Sequence, residues 1–421
     1  MKKILTLTAL GTILMASNAF AAGFHLREQS AAAQGNAFAG ATAGAENNSY
    51  SYFNAAGLTR QKGTQVNLGA TYIVPRAEAT NVEDMSTGGT RGQDINNIVH
   101  SAWAPNGVVS HQVDDKLTVG LGLNVPFGMI TKYDSEWAGS DHGITSKVIS
   151  ATFTPMAAYK LTDKLSVGAG LPIQYIKARL TNSAYHPVLG DLGDASLKGD
   201  TLDVGYQLSA LYELSEDTRF GINYRSEVNH KLKGDISGSG MAATVPYLNQ
   251  DISARLDTPA MLSLGAYHQL NEKWAVMAEW QRVFWSSFDS LDIMGRDTMS
   301  APGSYLISST KEKWRDTDFF AVGASYQIDN QWKLRLGLAY DQTAVKKEHR
   351  TPRIPDSDRI WYSAGLGYQY NENLSFDMAY TYIQAKDASI DTSLNGNSGR
   401  NVRADYNNSV KLWGLSMTYK F

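Results

Sequence analysis

Cysteine is absent from this 421-residue chain, so whatever fold it adopts is held without disulfides. Long hydrophobic runs are absent too, with one exception. Lys2 and Lys3 precede an apolar stretch from Ile4 to Met15 and then Ala19, Phe20 and Ala21. That arrangement predicts a secretory signal cleaved after Ala21, and the run is too short for a spanning helix. Any residence in a membrane must therefore be as a β-barrel. Sustained helical periodicity and Gly/Ser/Pro linkers are also missing, which argues against a string of soluble domains. A net charge of -3 supplies no basic field for nucleic acid. The eight histidines are scattered, with no pair at metal-ligand spacing. No metal, cofactor or enzymatic activity is expected.

What the chain does have is a repeated short pattern. Lys160-Leu161-Thr162-Asp163-Lys164-Leu165 is a polar turn feeding a strand whose Leu165, Val167, Ala169 and Leu171 point one way and Ser166, Gly168 and Gly170 the other. The same grammar recurs at Asp114, Ser215, Asn271, Asp329 and Asn371. Copies lie about 40 to 60 residues apart, enough for two strands of about ten residues and one long loop. Six turns joining two strands each, plus Val66 to Val74 before them and Ser409 to Phe421 after them, predict fourteen antiparallel strands. The long polar segments, among them 132–146, 177–200 and 231–254, belong outside the cell. Trp274, Trp332, Trp413 and Tyr419 are assigned to a periplasmic aromatic girdle. The small-residue stretch from Ala22 to about Gly63 reads as a plug packed in the lumen, the alternative being a disordered periplasmic leader. By alternation Arg225, Lys333, Arg335 and Arg359 face that lumen with Glu279, Asp341 and Asp377, where mutual pairing would fill a polar interior.

Several stretches together carry a resemblance. Ala22-Gly23-Phe24 opens the mature chain; Asn54-Ala55-Ala56-Gly57-Leu58 follows in the plug; Asn124-Val125-Pro126-Phe127-Gly128 and Trp137 come after the third strand. The most specific stretch is Arg353-Ile354-Pro355-Asp356-Ser357-Asp358-Arg359-Ile360-Trp361. From Ala22 to Phe421 the chain resembles the FadL/TodX family of outer-membrane transporters for long-chain fatty acids and other hydrophobic compounds. It departs from that pattern at Ala55, where the family carries Pro.

The resemblance implies a signal peptide (1–21), a plug (22–63) bearing Phe24, Asn54, Ala55 and Ala56, and a fourteen-stranded transmembrane barrel (64–421). It implies an apolar groove among the outer loops, a deeper pocket, and a kinked third strand that opens sideways. Independently, Pro126 cannot donate to a ladder, and Gly120, Gly122 and Gly128 weaken the same strand. On the residues alone Pro126 either breaks the wall or marks the strand's outer end; the resemblance selects the break, at Gly120, Gly122, Pro126, Phe127 and Gly128. Lys177 and Arg179 lie where the family has basic residues near its pocket, and with Arg335 and Arg359 they are the candidate carboxylate ligands. Their parity with Tyr175, however, turns Lys177 and Arg179 outward, toward lipopolysaccharide phosphates. The expected function is passive fatty-acid uptake by a monomer that the barrel assembly machinery inserts. Uptake of small aromatic hydrocarbons, or an open porin for polar solutes, are the alternatives.

Overall fold

A computed structural model describes residues 23–186, 189–295, 303–394 and 399–421; the signal peptide expected at the start lies outside them. Fourteen antiparallel staves close on themselves. They are β1 (Thr64–Asp84), β2 (Ala102–Gln112), β3 in two pieces (Leu117–Asn124 and Gly128–Lys132) and β4 (Thr145–Lys160). Next come β5 (Leu165–Gly170, Ile173–His186), β6 (Gly190–Val204, Gln207–Glu213), β7 (Thr218–Arg225, Lys231–Gly238) and β8 (Gln250–Arg255, Met261–Gln269). The rest are β9 (Trp274–Val283, Ser290–Gly295), β10 (Tyr305–Lys311, Thr317–Gln327), β11 (Trp332–Asp341), β12 (Arg359–Gln369), β13 (Leu374–Ala385) and β14 (Val402–Lys420). Closure runs from Gln65↔Lys420 through Tyr72↔Trp413 and beyond.

The repeated polar turns have one physical cause. In each, a short oxygen-bearing side chain accepts the backbone N–H groups that reverse the chain. Asp114 Oδ1 accepts from Lys116 N at 2.7 Å and Leu117 N at 2.8 Å. Asn271 does the same for Lys273 and Trp274, Asp329 for Gln331 and Trp332, and Asn371 for Asn373 and Leu374. Thr162 and Ser215 substitute a hydroxyl.

At the other end the segments read as loops are largely strand. β5 and β6 stay paired as far as His186↔Gly190, and the upper pieces of β6 to β10 continue the sheet above the bends. Their inward residues are apolar and their outward ones charged, as in Leu232 and Ile236 against Lys231, Lys233 and Asp235. The aromatic girdles also differ from expectation at one residue. Trp274 and Trp332 pack with tilted rings against Tyr326 and Tyr368 beside the short turns. Trp413 instead registers with Tyr72 and Tyr380 well up the wall, and Tyr72 packs with its ring tilted against Trp103. It belongs to the outer belt, because eight residues of tilted strand separate it from Phe421.

The bore is filled by the segment 23–63, which turns through short helices at Ala31–Gly35, Ala41–Gly44, Asn48–Tyr52 and Ala55–Arg60. Wall glycines let its backbone come close. A Cβ on Gly221 would stand 1.9 Å from Thr42 O, one on Gly337 2.1 Å from Asn36 O, and one on Gly168 2.4 Å from Ala56 N. Wall cations take its carbonyls: Arg219 donates to Ala43 O at 2.7 Å and Gly44 O at 2.6 Å, and Arg225 to Tyr52 O at 2.8 Å.

Candidate functional site

Above the plug the inward faces of β4 to β9 enclose an apolar cavity. Val148, Ala178, Leu180, Leu197, Leu232, Ile252 and Ile293 form its sides, while Phe24 and Met129 form its floor. It holds about 720 Å³ of atom-free space, open solvent at its mouth included. Leu180, Leu197, Leu291, Ile293 and Arg353 also line a second, outer groove among the hairpin tips, with Tyr185, Leu192, Ile236, Tyr247 and Leu248. Groove and cavity therefore share a wall, and Arg353 stands where they meet.

Arg353 and Ile354 reach the cavity because residues 342–358 fold inward over it. Tyr133 Oη donates to Pro352 O at 2.7 Å, Thr131 to Arg353 O at 3.2 Å, and Asn408 to Pro355 O at 2.8 Å. The guanidinium donates to Ser146 Oγ at 3.0 Å and Thr145 O at 3.3 Å. Among the described residues no carboxylate lies within ion-pair distance of it. Burial lowers Arg353 to about 10, so it is a cation at neutral pH. Glu312, the carboxylic acid of the cavity lining, is buried and accepts from Trp314 Nε1 at 3.0 Å. Burial pushes its carboxyl up to about 7, against the pull of that bond and of Arg353.

The floor is an aromatic cluster. Phe24 packs edge-on against Trp285 at 4.8 Å and Phe127 at 5.8 Å, and Trp314 sits 4.9 Å from both Trp285 and Phe288. Phe24 is tethered to the inward-folded segment through its neighbour, since Gly23 N donates to Asp356 Oδ2 at 3.1 Å. Asp356 is itself held by Thr343 and by Arg359.

Beside this floor the wall is incomplete. The β2–β3 ladder ends at Gly107↔Leu123. Beyond it Val125, Pro126 and Phe127 leave the strand, and the second piece of β3 resumes pairing with β4 at Gly128↔Ile149 but makes no ladder with β2. Among the described residues the N-terminal part of the plug covers that bare edge. Leu26 N donates to Pro126 O at 2.7 Å, Gly128 N to Phe24 O at 2.9 Å, and Gln29 Nε2 to Val125 O at 2.8 Å. His25 and Phe127 form an isolated antiparallel bridge. Higher up, Lys132 N reaches Ile98 O at 2.7 Å and closes the gap.

The residues expected at the site are thus sorted by place. Pro126, Phe127 and Gly128 line the break. Gly120 and Gly122 do not: both lie in a ladder intact on two edges, Ser110↔Gly120↔Met156 and Val108↔Gly122↔Thr154. Gly120 instead makes room for Leu58 of the plug, whose Cδ1 would be 2.9 Å from an added Cβ. Lys177 and Arg179 are exposed on the outer face, and it is Ala178 and Leu180 between and beside them that line the cavity. Arg335 is engaged by Glu46 at 2.8 Å and Asp377 at 2.9 Å, and Arg359 by Asp356. Neither lines the cavity. Asn54 caps the helix at Ala55–Arg60, accepting from Ala56 N at 2.9 Å and donating to Thr42 O at 2.7 Å. Ala55 occupies that helix's first position, where proline's missing N–H would cost nothing. Arg353 and Glu312 are cavity residues that the sequence does not announce: Arg353 stands out only as part of a motif, and nothing in the local sequence marks Glu312.

A closed fourteen-stranded barrel with a plugged bore, an apolar cavity at its long-loop end and a breach in its wall is an outer-membrane transport protein. The chain belongs to the outer membrane protein transport protein family (OMPP1/FadL/TodX), whose model matches residues 12–421. The long-chain fatty acid transport protein of Escherichia coli is 29% identical over 90% of each chain. A putative outer membrane protein of Neisseria meningitidis is 30% identical over 99% of this chain and 98% of its own. The crystal structure of a Pseudomonas aeruginosa FadL homologue superposes with a TM-score of 0.85 at 26% identity, covering 95% of this chain and 100% of that one. Membership makes the chain an outer-membrane transporter of hydrophobic compounds and not an enzyme.

Proposed function

We propose that this protein takes up long-chain fatty acids passively, as a monomer, by capture in the outer groove, transfer to the cavity and sideways exit through the break in β3. The observation that carries the reading is one continuous apolar track. Leu180, Leu197 and Ile293 belong to both groove and cavity, and Phe24 belongs to both the cavity and the plug segment that covers the break.

The energetics suit such a ligand. A buried methylene contributes about 0.8 kcal/mol, so a long acyl tail offers on the order of 10 kcal/mol before ordering costs. The carboxylate is matched by Arg353, a half-buried cation whose hydrogen-bond partners among the described residues are neutral, at the junction where a head group would come to rest. Tight burial is also a trap, so release requires the floor to move. The floor is the short stretch around Phe24, held to the wall edge by a few backbone hydrogen bonds. Exit there passes the tail into lipid and never returns it to water.

Uptake of labelled oleate by cells producing the protein tests this, with labelled toluene as the parallel arm. Oleate uptake above that of cells lacking the protein is expected. A rate equal to theirs, with toluene uptake raised, would replace the fatty acid by a small hydrocarbon.

A further inference from the structure

A cluster of cations on the outside of the wall is used by nothing in the transport route. Lys147 of β4, Arg179 of β5 and Lys198 of β6 are directly opposite one another in adjacent strands, through the pairs Lys147↔Arg179 and Arg179↔Lys198. All three belong to the outward-facing set by strand alternation: Ser146, Val148, Ala178, Leu180, Leu197 and Gly199 line the cavity, and Lys198, which borders it between the last two, is itself exposed and in register with Arg179. Like charges at directly opposed positions oppose strand pairing, so three in a row is a costly arrangement for a sheet to carry without compensation. Compensation from the protein itself is slight. Lys198 reaches Asp235 at 3.9 Å, and Lys147 and Arg179 have no carboxylate within ion-pair distance among the described residues. One register step nearer the membrane, Lys177 and Lys233 flank the lone Asp200.

Height supplies the second constraint. Tyr175 lies about ten residues up β5 from the periplasmic turn, and a tilted strand crosses the hydrocarbon in about 9–11 residues. Below the cations the same outer face is apolar: Leu202 is 63% exposed, Val204 59% and Phe153 44%. The cations therefore stand at the outer edge of the lipid-facing band, above side chains that suit acyl tails. We propose that Lys147, Arg179 and Lys198 form a binding site for the phosphate groups of a phosphorylated glycolipid of the outer leaflet, whose acyl chains lie along Leu202, Val204 and Phe153. Guanidinium and ammonium groups hold phosphate through charge-assisted hydrogen bonds. One phosphate bridging three opposed cations turns their repulsion into attraction.

Native mass spectrometry of the full-length mature protein, released from detergent in the presence of bis-phosphorylated lipid A, tests the site. One retained lipid per barrel is expected. Lys147→Gln, Arg179→Gln and Lys198→Gln combined should weaken retention at least tenfold, whereas Lys116→Gln, Lys164→Gln and Lys273→Gln at the periplasmic turns should leave it unchanged. Heat-modifiable migration on a gel verifies that both triple variants are folded barrels. Equal retention by the first variant, an equal loss in the second, or equal retention of fully dephosphorylated lipid A would each overturn the proposal. Displacement by millimolar inorganic phosphate alone would overturn the glycolipid assignment, leaving a site for free phosphate.

Discussion

Gly221→Ala asks the wall to carry one methyl group where the plug leaves no room for it. The new Cβ would lie 1.9 Å from Thr42 O, 2.6 Å from Thr42 C and 3.0 Å from Asn54 Nδ2. An ordinary carbon–oxygen contact is over 3 Å, so plug backbone must retreat by more than about 1 Å. Overpacking of this kind costs about 1–3 kcal/mol. Retreat of Thr42 also strains the hydrogen bond from Asn54 Nδ2 at 2.7 Å and that from Thr42 N to Glu279 at 3.1 Å, each worth about 0.5–1.5 kcal/mol. The loss, about 2–6 kcal/mol, falls on plug docking and not on the ladder, because Gly221 keeps its partners Leu211 and Gly265. The variant should insert normally but leak ions in a planar bilayer, where the parent passes little current. Gly107→Ala is the control, since its methyl meets the flexible end of Leu68 at 3.2 Å and Asn67 O at an ordinary 3.6 Å. A Gly221→Ala barrel as silent and as heat-stable as the parent would refute the idea that wall glycines seat the plug.

Replacing Arg353 by Met should lower fatty-acid affinity about 10- to 150-fold, the worth of about 1.5–3 kcal/mol for a hydrogen bond to a charged group, and leave a long-chain methyl ester unaffected; fluorescent-ligand displacement measures both. Glu312 adds a pH dependence. Burial raises its carboxyl to about 7, so the folded state holds the proton more tightly than the unfolded chain; its stabilising contribution is complete below the ordinary carboxyl range and lost as pH rises through about 7. A carboxylate ligand beside it favours the protonated form further, so fatty-acid affinity should fall as pH rises through that value, and Glu312→Gln should flatten the profile in the same displacement assay. Ala55→Pro should raise the melting temperature through about 0.4–1 kcal/mol of unfolded-state entropy, because Asn54 before it is already extended at φ -158 and ψ 104; a lower melting temperature would show that the ring does not fit.

Much of the barrel was legible in the chain because its grammar is local. Each short turn needs one accepting side chain at one offset, and alternation of polar and apolar residues survives any tilt or curvature of the sheet. The lumen charges were legible for the same reason: Arg335, Arg225 and Glu279 follow from parity, and each is paired or hydrogen-bonded inside. Trp413 reads as periplasmic only if nearness to the chain's end is equated with nearness to the short turns; eight positions of extended strand carry it across most of the membrane instead. The cavity was hidden for a different reason. Lys231-Leu232-Lys233-Gly234-Asp235-Ile236 alternates as a strand does, yet charged outer residues made it read as loop. Arg353 lies in a segment whose one regular element is the short helix Lys347–His349, brought in by Tyr133 and Asn408 from far away in sequence, and no local pattern announces that. Gly120 and Gly122 show the converse. Glycine in a strand marks close approach as readily as a break, and here it serves the plug.

The account stands on movement of the plug's first residues away from the bare edge of β3. Because the chain has no native cysteine, His25→Cys with Phe127→Cys gives a clean lock: antiparallel bridge partners lie about 4.5–5.5 Å apart at Cα, within reach of a disulfide. Oleate uptake by cells carrying this pair should stop on oxidation and return on reduction, while oleate binding to the purified protein persists throughout. Uptake that continues undiminished with the disulfide fully formed would contradict it.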